Sequence, residues 1–83
     1  MGETDRAGII ARLVERGERR AVAALYADAF LEYQEASQNI ATQGAMVLHP
    51  RTANPIENPY LKIRDRAFVK LRSMPRVDAG WLW

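Results

Sequence analysis

Residues 19–43 read RRAVAALYADAFLEYQEASQNIATQ. Within them Val22, Tyr26, Ala29, Tyr33, Ala36 and Ile40 recur at alternating steps of four and three. That alternation is a heptad seam, the pattern by which one helix packs along another. No Pro or Gly interrupts the stretch, and Ala, Leu, Glu and Gln, all good helix formers, dominate it. Gly44 follows, where a positive φ commonly ends a helix and only glycine adopts it cheaply. A continuous helix here would be roughly 37 Å long at about 1.5 Å per residue. A rod of that length with a seam predicts helical partners, and the first of these is expected to be another copy of the chain. Four of the six seam positions are Tyr or Ala. Small residues permit close helix approach, and buried tyrosine hydroxyls demand partners.

The surrounding chain is short. Its 83 residues make one folding unit with a limited core, and its lack of cysteine rules out disulfide staples. A single His and no Cys leave no metal-site pattern, so no cofactor is expected. Cysteine-free composition fits a reducing cytoplasm. No stretch approaches the ~20 apolar residues that cross a bilayer, so no membrane partner is expected.

Charge is uneven although the net is only +2. Residues 21–43 carry Asp28, Glu32 and Glu35 and no base, a net of −3. Residues 58–76 carry Lys62, Arg64, Arg66, Lys70, Arg72 and Arg76 against Asp65, a net of +5. Two oppositely charged helices lying against each other would explain this, and so would a basic helix face turned to phosphate.

On the N-terminal side, residues 1–5 read as a frayed lead-in, with Thr4 or Asp5 able to cap a short helix. Ile9, Ile10, Leu13 and Val14 give that helix one apolar face, and Gly17 ends it. About three turns cannot persist without docking on something. Arg16, Arg19 and Arg20 then cluster where the long helix begins. Two arginines at a helix N-terminus oppose the helix dipole, which makes the cluster a candidate phosphate contact.

On the C-terminal side, residues 45–57, AMVLHPRTANPIE, form a long connection broken by Pro50 and Pro55, with Met46–Leu48 extended. His49 lacks a neighbouring ligand or base and reads as a loop residue. Asn58-Pro59 is a helix start: Asn caps, and Pro fits the first helical position, where no N–H is needed. The helix it opens runs to Met74, with Tyr60, Ile63, Ala67, Phe68, Leu71 and Met74 on one face and Pro75 as its stop. On another face Lys62, Arg66 and Lys70 recur every four residues. The tail ends in Trp81-Leu82-Trp83. Two indoles in water forgo burial worth roughly 1.5–3 kcal/mol each, so the tail is expected to dock, either on its own core or on another chain.

The order of these features resembles the small terminase subunits of tailed phages and of phage-derived packaging machines such as gene transfer agents. The resemblance rests on a short helix ending Leu13-Val14-Glu15-Arg16-Gly17, a long helix with Tyr26, Tyr33 and Glu35-Ala36 to Ile40, then Gly44, a polar loop, the Asn58-Pro59 start, and Ala67 to Leu71. It covers about residues 9–74. It implies an all-α subunit in which a helical hairpin drives assembly into a ring. It also implies a subunit that performs no chemistry itself, has no small-molecule substrate, binds double-stranded DNA and passes it to the large terminase subunit, an ATPase-nuclease. Two departures stand out. Only a remnant of an N-terminal helix-turn-helix is present, and Pro75 cuts the second helix where related chains continue to a basic end.

The combined expectation is an all-α fold: a short N-terminal helix and turn over 1–17, a long antiparallel hairpin over 18–74 that oligomerises through the long helix, and a Trp-containing docking tail over 75–83. The expected function is that of a non-enzymatic DNA-packaging adaptor. Arg16, Arg19, Arg20, Lys62, Arg66 and Lys70 are the expected DNA contacts. Val22, Tyr26, Ala29, Tyr33, Ala36 and Ile40 form the expected interface between copies, and Trp81, Leu82 and Trp83 the expected partner site. Two rivals remain. One is an interaction module with no nucleic-acid role, its helix charges cancelling internally. The other is a small helix-turn-helix regulator, although the long helix is too acidic after Ala27 to lie in a major groove.

Overall fold

The structure is a computed structural model that describes residues 5–83. Residues 1–4, with the capping alternative Thr4, lie outside the described residues. Helix α1 spans Arg6–Glu15. Asp5 caps it, its Oδ1 accepting the Gly8 N–H at 2.7 Å, which satisfies one of the orphan donors every helix start carries. The helix ends on Gly17 at φ 100. The Gly17 and Glu18 N–H groups there donate back to the carbonyls of Val14 and Leu13 at 3.0 Å each, closing the last turn.

Helix α2 spans Arg20–Gln43 as one unbroken rod and stops at Gly44, φ 89. Helix α1 folds back along its first half. Arg6 Nε donates to Asp28 Oδ1 at 2.7 Å, which ties the start of α1 to the third turn of α2 and beyond it leaves α2 without α1 alongside. The hydrogen bond to Asp28, then its charge, push the Arg6 guanidinium above its ordinary pKa. Ile9, Ile10 and Leu13 are buried against α2, while Val14, expected on the same face, is 39% exposed.

The connection between α2 and the last helix is not a loop. Strands β1 (Met46–Leu48) and β2 (Pro55–Glu57) pair antiparallel, with Met46 opposite Glu57, Val47 opposite Ile56 and Leu48 opposite Pro55. The fold is therefore mostly helical with a small β-wing, and the all-α expectation is corrected here. Pro50 and Pro55 bar helix, and Pro55 is tolerated because a two-stranded sheet has only edges. At the tip, His49 N–H donates to the Asn54 carbonyl at 2.8 Å. His49 Nδ1 accepts the N–H groups of Arg51 and Thr52 at 3.1 and 3.4 Å. The imidazole thus organises the turn, in which Ala53 sits at φ 56.

Helix α3 spans Tyr60–Arg72 and runs antiparallel to α2. Asn58 opens it. Its Oδ1 accepts the Tyr60 N–H at 2.9 Å, while its Nδ2 donates to Asn39 Oδ1 and to the Gly44 carbonyl, both at 2.9 Å. Its own N–H donates to the Ala45 carbonyl at 2.7 Å. One side chain, 2% exposed, thereby joins the end of α2, the root of the wing and the start of α3. Burying a polar residue is tolerable only with such complete satisfaction.

The heptad seam is real, but α3 and the segment that follows it cover much of it. Tyr26, Ala29 and Ala36 are buried within the chain, with Val22, Tyr33 and Ile40 half-buried beside them. Tyr33 pairs with Phe68 of α3, ring centroids 6.2 Å apart. Val22 shares a cleft with Met74, and Ala67 of α3 is fully buried like Ala36. The interface residues expected between copies are thus the inside of one subunit's own hairpin. Periodicity gives the packing face and is silent on the partner.

The tail folds back on the same core. Phe30, Leu13 and Ile9 at its centre are joined by Leu71 and Ala79, with Val77, Trp81 and Leu82 packed around them. The molecule is elongated, 49 × 28 × 19 Å, with this core at one end and the wing at the other.

Candidate nucleic-acid interface

Four-residue spacing on a helix advances about 40° per step around the axis, so Lys62, Arg66 and Lys70 form one column along α3, roughly 12 Å long. All three are exposed. Lys62 and Arg66 line an open hollow of about 420 Å³ with Glu57, Asn58, Pro59 and Ile63, where the wing meets the start of α3. Farther along, Arg66 and Lys70 flank Asp65 and Val69, the latter 64% exposed.

The acids of α2 do not neutralise this column. Asp28 is taken by Arg6, and among the described residues no ion pair joins α2 to α3. Apolar contact holds the two helices, and their opposite charges face outward on separate surfaces.

The Arg16, Arg19 and Arg20 cluster is divided by the fold. Arg16 donates to Asp78 Oδ2 at 2.9 Å and lies over the Trp81 ring at 5.8 Å. Arg19 and Arg20 are exposed at the start of α2. The cluster sits at the core end, whereas Lys62 sits at the wing.

The tail residues are also separated. Trp81 lies under Arg12 at 4.9 Å and Arg16, its Nε1 donating to the Asp78 carbonyl at 2.9 Å. Leu82 packs on the core. Trp83 donates from Nε1 to the Tyr26 hydroxyl at 2.9 Å and meets Phe30 edge-on at 4.8 Å, yet stays 61% exposed. Their first docking surface is their own chain.

Several features escaped sequence reasoning. Asn39 as the partner of Asn58 carries no local signal. Phe68, expected on the buried face of α3, is 45% exposed at its margin. The wing's exposed Met46 and Leu48, 59% and 65% open, alternate with Val47, but three residues are too few to identify a strand by period. Among the described residues no group of three or more His, Cys, Asp or Glu side chains is placed to hold a metal ion. Among the same residues no helix is long and apolar enough to cross a membrane.

These features define a class: a small helical-hairpin protein with a basic outer helix and a short β-wing at the hairpin's bend. The chain belongs to the phage terminase small-subunit family, whose model matches residues 8–76. The resemblance read over residues 9–74 is thereby shown, and it places the protein among the components of phage DNA packaging. The match runs from Gly8, within α1, through α2, the wing and α3; Trp81 and Trp83 lie beyond it. Comparison with curated proteins and with solved structures gave no match.

Proposed function

We propose that this protein is the non-enzymatic adaptor of a DNA-packaging machine. Several copies assemble, hold duplex DNA through phosphate contacts and recruit the large terminase subunit. The observation that carries this reading is the Lys62/Arg66/Lys70 column: exposed, on a rigid helix, and unmatched by the acids of the neighbouring helix. Point charges in that arrangement suit a sequence-tolerant phosphate track. Arg19 and Arg20 add positive charge at the other end, while Arg16 is engaged by Asp78.

Assembly falls to the side of α2 turned away from α3. There Ala21, Leu25, Asp28, Glu32 and Glu35 repeat the four-three spacing, with Leu25 63% exposed. The inner seam builds the subunit, and this outer stripe offers itself to a neighbour. Light scattering on the full chain is expected to give a mass of several subunits; a monomer at high concentration removes the assembly claim.

A mobility-shift titration at two salt concentrations tests the DNA claim. Binding should weaken steeply with salt, and the triple variant Lys62→Ala, Arg66→Ala, Lys70→Ala should reduce the log–log slope by about 0.9 per lost contact, or about 3 in all. An unchanged slope clears the column, and no binding at low salt removes DNA from the function.

A further inference from the structure

With the basic column assigned, the other shoulder of α3 remains. Arg64, Phe68 and Arg72 repeat every four residues there, about 200° around the helix from Lys62, Arg66 and Lys70. Phe68 lies 6.2 Å from Tyr33 of α2, and Tyr33 lies 5.5 Å from Trp83 at an interplanar angle of 68°. The Arg72 guanidinium sits over the Phe68 ring at 5.7 Å. Three elements thus bring three rings side by side, each within the range of a favourable aromatic contact.

This patch is open yet fixed. Phe68 and Trp83 are 45% and 61% exposed, and Tyr33 is half-buried. Trp83 is held from two directions, by its hydrogen bond to Tyr26 and by its edge contact with Phe30. The one polar atom of its indole is therefore satisfied, and what the ring shows to solvent is apolar. Aromatic rings already held in place lose little freedom on binding, which is why such residues dominate the energetic centres of interfaces.

The rim sets the occupant. Arg72 and Arg64 flank Phe68 along its own stripe, and Asp65 is the carboxylate on the same outward side of α3. The acids of α2 are elsewhere: Glu32, next to Tyr33 in sequence, is turned about 100° from it, and Glu35 and Asp28 farther still. A basic rim around an apolar centre complements an apolar anchor flanked by carboxylates. We infer that Tyr33, Phe68, Trp83 and Arg72 form a docking site for an acidic protein segment carrying one apolar or aromatic anchor. The inference rests on the packaging reading above, in which that segment belongs to the large terminase subunit. It shifts the partner site from the tail alone to a surface shared by α2, α3 and Trp83, and excludes Trp81, which Arg12 and Arg16 cover.

The test uses the full chain and purified large terminase subunit, with binding measured calorimetrically. Phe68→Ala and Arg72→Glu should each weaken binding about tenfold or more. Both should keep wild-type helicity, DNA affinity and salt slope, since neither belongs to the basic column. Arg72→Glu should cost more than Arg72→Ala, because it sets like charges against each other. If the wild-type chain binds and both variants bind equally well, the inference alone falls. It also falls if the variants lose DNA binding or change oligomeric mass while large-subunit binding is intact, for the patch would then serve nucleic acid or a second copy. No binding by the wild-type chain sinks the packaging reading, and the docking site with it.

Discussion

The two ends of the hairpin are held together by different physics. At the core end α1, the first half of α2, the last turns of α3 and the tail converge on Ile9, Leu13, Phe30, Leu71 and Ala79. At the wing end α1 is absent, the fully buried apolar residues shrink to Ala36 and Ala67, and a single polar side chain, Asn58, makes the joint. Apolar burial is spread over many contacts and has no preferred direction. The Asn58 joint is directional: three hydrogen bonds from one amide side chain fix where α2 ends, where the wing leaves and where α3 begins. The core end therefore supplies stability, and the wing end supplies geometry. The basic column runs from one to the other, beginning at Lys62 beside the Asn58 joint.

The sharpest way to break this contrast is to damage the core end first. Phe30 is 1% exposed and is the edge partner of Trp83 at 4.8 Å. Phe30→Ala should cost about 3–5 kcal/mol, the usual range for removing a large buried ring. Urea denaturation should show the whole transition moving, and the tail should lose its anchor with it. A loss below about 1 kcal/mol would mean the core refills the space, and stability would then not reside where the burial is.

At the wing end the informative change is Asn58→Asp. It keeps the oxygen that caps α3 and removes the Nδ2 donor. The Asn39 amide oxygen and the Gly44 carbonyl would then face a carboxylate instead of two N–H bonds. The expected cost is about 1–3 kcal/mol, the range for leaving buried polar groups unpaired. The loss should also saturate. Once the wing has opened, further damage there is no longer felt by Phe30 or Leu13. Amide exchange should show this: protection at His49 and Asn58 largely lost, protection in α1 and mid-α2 reduced only by the smaller global change. Equal loss at every amide would show one cooperative unit and dissolve the distinction between the ends.

The same contrast explains what the sequence discloses. Much of the molecule is written in periodicity and local chemistry: at the core end Ile9, Ile10 and Leu13 share a face, Asp5 caps and Gly17 stops a helix, and farther along Gly44 stops α2 and Lys62, Arg66 and Lys70 form a column by spacing alone. Each needs only neighbours within a turn or two. The wing end depends on pairings across the chain. Asn39 and Asn58 are 19 residues apart, Leu48 meets Pro55 across a proline-containing turn, and strands of three residues have no measurable period. The seam on α2 falls between these cases. Its existence is local information and its partner is not, so a stripe that fits a second copy equally fits α3 of the same chain. Phe68 fails for a related reason. It lies at the margin of its helix face, where a few degrees of rotation separate buried from exposed.

The smallest expected effect probes the wing tip itself. Ala53 holds φ 56, where a side chain with a Cβ costs roughly 1–2 kcal/mol over glycine. Ala53→Gly relieves that strain but gives the unfolded chain extra freedom, worth about 0.4–1 kcal/mol in the opposite sense. The balance should be a gain of about 0.5 kcal/mol, roughly a twofold slowing of exchange at the His49 N–H, whose hydrogen bond to Asn54 closes the turn. The sign carries the argument. Slower exchange means that the tip is strained and that the His49 imidazole, accepting from Arg51 and Thr52, holds it in place. Faster exchange means that chain freedom outweighs strain, and then the wing end is shaped by its hydrogen bonds without tension in the backbone.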